Sequence, residues 1–362
     1  MLCYANKTKA KVSGKSTDLP PNFLYNNISV KKLEMHVDTA KDFFEDIMFS
    51  LYDNATLESL KIIGKELSDK VMDELFMMFR MNTSIKKLTL SCITGNECVM
   101  DWLVMLLEEN HSIKELKLAS LAGKFKVPTY FNDRLTKLSI STECMTMNDS
   151  NSDWIPYLDS NELLQRLPSS IKSLSLFKVG RVSTAVLNRL LSTNTTLEEF
   201  ALICQVDQIG DISYGLSKNT SLKKLVLNEL GSGCFFKTYM PAKYVFKGLM
   251  RNTTLTSLTL LGWITYDRSC EIFLRNQVLT HFIFDTDRSD GLNILCRYLS
   301  NAKYVKTLGA CQWNHVSWPL VKIMETNRSI TKIVADSLKE EKNERHAKKV
   351  ARYLKRNNVT ST

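Results

Sequence analysis

The segment Asn219-Thr-Ser-Leu222-Lys-Lys-Leu225-Val-Leu227 decides the architecture, because the chain repeats it. It recurs as Asn82-Thr-Ser-Ile85-Lys-Lys-Leu88-Thr-Leu90, as Asn252-Thr-Thr-Leu255-Thr-Ser-Leu258-Thr-Leu260 and as Asn194-Thr-Thr-Leu197-Glu-Glu-Phe200-Ala-Leu202. Weaker copies start at Asn27, Asn54, Asn110, Asn132, Pro168, Asn276 and Asn327, and an imperfect one contains Val305-Lys-Thr-Leu308. With the first apolar residue of each copy as phase marker, the series runs Val30, Leu57, Ile85, Ile113, Leu135, Ile171, Leu197, Leu222, Leu255, Leu279, Val305 and Ile330. The steps of 22 to 36 residues average about 27, the period of a stacked array.

The end of each copy alternates at period two, which turns Leu88 and Leu90 inward and Lys87 and Thr89 outward. Most strands are followed by apolar residues at helical spacing: Val71, Leu75, Met78 and Phe79 behind a candidate N-cap at Ser68, then Val99, Leu103, Leu106 and Leu107. Phe43, Ile47 and Leu51 begin this series, and Leu292, Leu295, Cys296 and Leu299 continue it. Each helix is expected to stop at the Asn that opens the next copy, a residue that tolerates the left-handed conformation of a C-cap. One strand-helix unit cannot bury its apolar face alone, whereas a stack can. The expected fold is an α/β solenoid, a horseshoe with a parallel sheet on the concave face and helices on the convex face.

A helix ending in Asn-Thr-Ser/Thr, followed by Leu-x-x-Leu-x-Leu, resembles the ribonuclease-inhibitor-like subfamily of leucine-rich repeat (LRR) proteins. The resemblance covers about residues 26–357. It departs at the position eight residues after the phase marker, where the family places Asn or Cys. Here those slots hold Lys65, Ile93, Leu121, Gln205, Leu230, Trp263 and Trp313, so irregular loops are expected on that edge.

Three domains follow: a flexible basic arm over residues 1–25, about twelve repeats over 26–335, and a capping helix with tail over 336–362. The arm carries Lys7, Lys9, Lys11 and Lys15. The cap has Ala347, Val350 and Leu354 at helical spacing, and a solenoid needs such an end. Three steps are irregular. The shortest contains a Pro128-interrupted GKFKVPTYF, unable to form a full helix. The longest holds a polar insertion at Thr142–Trp154, and the next an aromatic insertion at Gly231–Pro241.

Composition limits the function classes. The chain has 362 residues and 44% apolar content, enough for a core. No apolar run is long enough to span a membrane, and the N-terminal stretch has no apolar core of the secretory type. Nine cysteines are scattered without a Cys-x-x-Cys pair, which fits a reducing compartment and a cytoplasmic location. Ser13-Gly14-Lys15-Ser16 imitates the end of a phosphate-binding loop, but Lys9 stands where the first Gly belongs. The five histidines are dispersed, and no zincin or nucleophile-elbow motif occurs. No enzyme activity, metal or cofactor is expected. Asn-x-Ser/Thr at many repeat starts keeps step with the repeat and reads as turn chemistry rather than as glycosylation acceptors.

The formal charge of +10 falls largely on the three non-leucine positions of each Leu-x-x-Leu-x-Leu. Lys32, Lys61, Lys87, Lys117, Lys137 and Lys224 belong to this ribbon, with His281 at an outward strand slot. The last outward slot reads Glu34, Lys61, Thr89, Lys117, Ser139 and Ser175, then turns apolar with Ala201, Val226, Thr259, Ile283, Gly309 and Val334. Phe235, Phe236, Trp263 and Trp313 are of the type that anchors interfaces. These features point to a monomeric protein-binding scaffold whose partner has an acidic surface. Two alternatives stay open: a regulator resembling the Ran GTPase-activating proteins, although this chain ends basic, and a polyanion or nucleic-acid binding module. Against the latter, the lysines are not interleaved with aromatics as stacking on bases requires.

Overall fold

The computed structural model describes residues 4–6, 9–13, 29–37, 49–64, 69–91, 97–121, 125–142, 158–179, 182–204, 211–229, 240–262, 264–285, 289–311, 317–335 and 344–359. They fall in two compact units, Met1–Gly180 and Arg181–Thr362. In the first, β1 (Tyr4–Asn6) and β2 (Lys9–Ser13) precede six repeat strands: β3 (Lys32–Val37), β4 (Ser59–Gly64), β5 (Lys87–Ser91), β6 (Glu115–Leu121), β7 (Lys137–Thr142) and β8 (Ser173–Val179). The repeat strands pair in chain order, all parallel. The second unit has β9 (Glu199–Cys204), β10 (Lys224–Glu229), β11 (Met240–Pro241), β12 (Ser257–Leu261), β13 (Ile264–Thr265), β14 (His281–Asp285), β15 (Ser289–Asp290), β16 (Thr307–Cys311) and β17 (Lys332–Ala335). Its repeat strands β9, β10, β12, β14, β16 and β17 are again parallel neighbours.

Each of the twelve repeat strands starts two residues after its phase marker, from Lys32 behind Val30 to Lys332 behind Ile330. The alternation has its expected effect. Leu57, Leu60 and Ile62 in one repeat, and Leu222, Leu225 and Leu227 in another, are buried side by side with their counterparts in neighbouring repeats. Each such side chain is worth roughly 1.5–3 kcal/mol of transfer free energy. Helices Asp69–Met81 and Glu97–Glu109 turn Leu75, Met78, Phe79, Leu103, Leu106 and Leu107 onto this core. Helix Leu292–Ser300 does the same with Leu295, Cys296 and Leu299. In the second unit Phe246, Phe273 and Phe282 pack ring against ring, with Phe273 and Phe282 centroids 4.8 Å apart.

The repeat-opening asparagines work differently from the expected left-handed cap. Asn194, Asn219 and Asn276 have φ near −70° and ψ near 125°, which is extended backbone. The side chain closes the turn instead. Asn82 Oδ1 accepts from the Ser84 and Ile85 amides, while its Nδ2 donates to Leu51 and Asn54 carbonyls of the preceding repeat. Asn219, Asn252, Asn276 and Asn327 make the same four-way set. An asparagine ladder therefore exists, but where strands begin rather than where they end. It explains the Asn-x-Ser/Thr pattern, because Ser84, Ser112, Ser221 and Ser329 each donate a hydroxyl to a carbonyl of the preceding repeat.

Other local expectations resolve as follows. The N-terminal arm is not free: β2 lies parallel to β3, with Ala10 and Val12 in register with Leu33 and Met35, and β1 folds back antiparallel on it. Pairing there occupies backbone groups that a sheet edge would otherwise expose. The shortest step has no helix among its described residues. Phe125, Val127 and Phe131 fill its core instead, Phe125 bridges to Leu158, and the β6–β7 register shifts at Leu118/Leu121. Of the seven slots named for the departure from the family pattern, only Leu121 lies within the described residues, in β6. In the second unit β11, β13 and β15 form a short parallel ladder; the irregular loops expected at the other slots lie outside the described residues. Past Thr142, the last residue of β7, the polar insertion lies outside the described residues.

Helix Glu344–Val359 closes the last repeat. Its Asn357 is fully buried and donates to the Asn327 and Ile330 carbonyls, continuing the ladder from a helix. Arg356 reaches the Met324 and Asn327 carbonyls at 2.9 and 2.8 Å, and Val350 of the same helix is buried.

Candidate functional site

Parallel in-register pairing turns the outward slots into straight rows, with neighbours about 4.8 Å apart. In the first unit one row reads Lys32, Ser59, Lys87, Glu115, Lys137 and Ser173, and the next reads Glu34, Lys61, Thr89, Lys117, Ser139 and Ser175. Lys32, Lys87, Lys117 and Lys137 are exposed, as alternation demands. The lysines are not one uniform field, however. Glu115 stands between Lys87 and Lys137 in its row, and Lys87 Nζ is 2.6 Å from its carboxylate. Lys61 Nζ lies 3.5 Å from Glu34, which also contacts His36 Nε2 at 3.0 Å. Lys31, 2.9 Å from Glu58, holds that carboxyl below its usual range by donating to it, with the Lys31 and Lys32 charges adding. Such solvent-screened pairs contribute little to stability, but they divide the ribbon into local dipoles.

The second unit has a different surface. Its first row reads Glu199, Lys224, Ser257, His281, Thr307 and Lys332, and its second reads Ala201, Val226, Thr259, Ile283, Gly309 and Val334. Lys224, His281 and Lys332 are exposed, and Val226 and Ile283 are half-buried. A Cβ on Gly309 would lie 2.9 Å from Ile283 Cγ1 and 3.2 Å from the Val334 carbonyl oxygen. Glycine thus opens a notch that the Ile283 side chain occupies, and the apolar strip is lower in relief than the sequence implies. Val334, at the end of the strip, is 38% exposed. His281 Nδ1 is 2.8 Å from the neighbouring Thr280 hydroxyl, a contact that restrains its ring.

Pairing therefore unites Lys32, Lys87 and Lys137 in one row, Lys61 and Lys117 in the next, Lys224 with His281, and Val226 with Ile283. Phe235, Phe236, Trp263 and Trp313 lie outside the described residues. Sequence reading missed the His36–Glu34–Lys61 contact chain; its signal was the equal phase of Glu34 and Lys61 one repeat apart. It also missed a depression lined by Lys303, Lys306 and Arg328 in the last two repeats. Among the described residues no group of three or more His, Cys, Asp or Glu is placed to hold a metal ion.

Twelve strand registers, a shared inward leucine pattern and parallel pairing fix the architecture. The fold is a leucine-rich repeat solenoid. No protein-family model matches the chain, and no curated protein matches it. Among solved structures it is similar to one titled leiomodin-1 actin-binding site 2, at 13% identity and a TM-score of 0.27, over 56% of this chain and 88% of that one. It is also similar to a chain of a TLR13–ssRNA13 complex, at 13% identity and a TM-score of 0.38, over 79% of this chain and 43% of that one. Likeness at this level concerns the fold alone. Among the described residues, no helix of the solenoid is long and apolar enough to cross a membrane.

Proposed function

We propose that this solenoid is a non-enzymatic scaffold that binds a protein partner through the solvent-facing side of its strand ladder. One observation carries the reading: in the second unit an apolar row, Val226 to Val334, runs in register beside a row holding Lys224, His281 and Lys332. An apolar strip supplies surface that gains from desolvation, and cations along its flank steer and orient an acidic partner. The repeat length and the helix-strand junctions favour the ribonuclease-inhibitor-like subtype. Free, buried Cys270 and Cys296 fit a reducing, cytoplasmic setting, and the capped last repeat fits a monomer.

The test is affinity capture from native cytosol with the intact protein and with Lys224→Glu/Lys332→Glu, followed by Val226→Asp. A specific protein retained by the intact chain and lost from both variants supports the reading. Equal retention by all three contradicts it. Recovery of nucleic acid, with every protein released by nuclease, replaces it with the polyanion-binding alternative.

A further inference from the structure

Wherever an asparagine opens a repeat, the next residue sits at the turn before the strand. That slot holds Ala55, Thr83, His111, Asp133, Thr195, Thr220, Thr253 and Gln277 along most of the chain. In the last two repeats it holds Lys303, behind Ala302, and Arg328, behind Asn327. Pairing of β16 with β17 makes these two turns immediate neighbours, and Lys306 follows one step further along the first. The three cations line a single open depression of about 520 Å³ that has no acidic residue in its wall. All three are exposed.

Lysine and arginine near helix C-termini commonly serve to satisfy the last carbonyls, and here that role is already filled. The Leu299 and Ala302 carbonyls accept from Asn327 Nδ2, Ala302 and Val305 accept from the Ser329 hydroxyl, and Ser300 accepts from Thr326 Oγ1. Arg356 is likewise committed, to the Met324, Glu325 and Asn327 carbonyls. Burial first, and the Arg328 charge second, push the Arg356 guanidinium below its usual value, so positive charge is already crowded at this corner. Among the described residues, Lys303, Lys306 and Arg328 have neither an ion pair nor a hydrogen bond from their charged ends. No acidic side chain in the wall of the depression balances these three charges.

We infer that the depression between the last two repeats, walled by Lys303, Lys306 and Arg328, binds a phosphate monoester. A planar guanidinium fork matches two phosphate oxygens at once, and two flexible ammonium groups complement the remaining charge. A phosphate near pH 7 carries about −1.5 to −2, which suits three cations better than a carboxylate does. The volume exceeds that of one phosphate group, leaving room for the small molecule or side chain that carries it. The site shares only Lys306 with the strand-face ribbon, rests on a separate observation and survives if that reading fails.

Isothermal titration calorimetry on the full chain tests this, with inorganic phosphate, a capped phosphoserine hexapeptide and its serine counterpart as probes. The hexapeptide is expected to bind at least about tenfold more tightly when phosphorylated, and Lys303→Glu/Arg328→Glu to lose that preference. Arg328→Lys keeps the charge but not the fork, and is expected to weaken phosphopeptide binding several-fold with unfolding unchanged. Arg189→Glu/Arg251→Glu, with the same charge change elsewhere, is expected to retain binding. Inorganic phosphate matching the phosphopeptide upholds the site and assigns it to free phosphates; preference for the peptide upholds it and assigns it to a phosphorylated segment. Equal binding of phosphorylated and plain peptides, or equal loss in both double variants, overturns the proposal.

Discussion

Asn252 is the residue whose removal tests the repeat physics most sharply. It is 4% exposed. Its Nδ2 donates to the Leu216 and Asn219 carbonyls at 2.9 and 3.0 Å, and its Oδ1 accepts from the Thr254 and Leu255 amides at 3.0 and 2.7 Å. Asn252→Ala removes all four bonds and strands buried backbone groups of two repeats. At about 1 kcal/mol net per bond, rising where an orphaned group stays dry, the loss is about 3–5 kcal/mol. Urea unfolding followed by circular dichroism reads this as a lower midpoint. Asn252→Asp keeps the two accepted bonds but exchanges the donating amide for a buried carboxylate, so it is expected to cost at least as much. Thr254→Ala loses only a 3.4 Å hydroxyl contact and serves as the control, at about 0.5 kcal/mol or less. A loss below about 1 kcal/mol for Asn252→Ala would refute the idea that the ladder ties repeat to repeat.

Other perturbations have equally definite outcomes. Gly248→Ala places a Cβ 2.7 Å from Leu216 Cβ and 2.9 Å from the Ser213 carbonyl oxygen, so helices Ser213–Lys218 and Ala242–Leu249 must separate. Thermal unfolding is expected to show a loss of about 1–3 kcal/mol. Burial raises the Cys270 thiol to about 12 and the Cys296 thiol to about 11. Both should resist alkylation at pH 8 until denaturant is added, and rapid native labelling of either would contradict their burial. The unfolded thiols ionise near 9, so stability is expected to fall as pH rises from about 9 towards 12, with no contribution from these groups below 9. Asn357→Ala removes the two ladder bonds of helix Glu344–Val359. Limited proteolysis is expected to cut that helix first, leaving the rest of the second unit protected.

The fold was legible because its signal is redundant. Twelve copies of one phase rule place twelve strands, and no single weak copy, such as the one opening at Pro168, has to carry the decision. The ladder was misread because Asn has two ways to end a helix. Its backbone can turn left-handed, or its side chain can bridge the turn, and composition alone does not separate them. The accompanying Ser or Thr two residues later was the usable signal, since a left-handed cap gives that hydroxyl no role. The N-terminal strand escaped notice because Ala10 and Val12 alternate with lysines, a pattern too short to distinguish an edge strand from a basic tail. For the candidate site, which residues face outward followed from period two. Which carboxylate meets which lysine did not, because Lys87 and Glu115 become neighbours only through pairing between repeats. The notch at Gly309 was likewise invisible, since it depends on where the Ile283 side chain lies on the next strand.

The central claim is that a protein partner seats on the outward slots of the strand ladder, and lysine-reactivity footprinting of the free and partner-bound protein tests it most directly. Acetylation is expected to fall at Lys224 and Lys332 on binding, while Lys218, Lys243 and Lys247 on the helices keep their reactivity. Protection of those helix lysines, with Lys224 and Lys332 unchanged, would contradict the account and move the interface to the opposite side of the repeats.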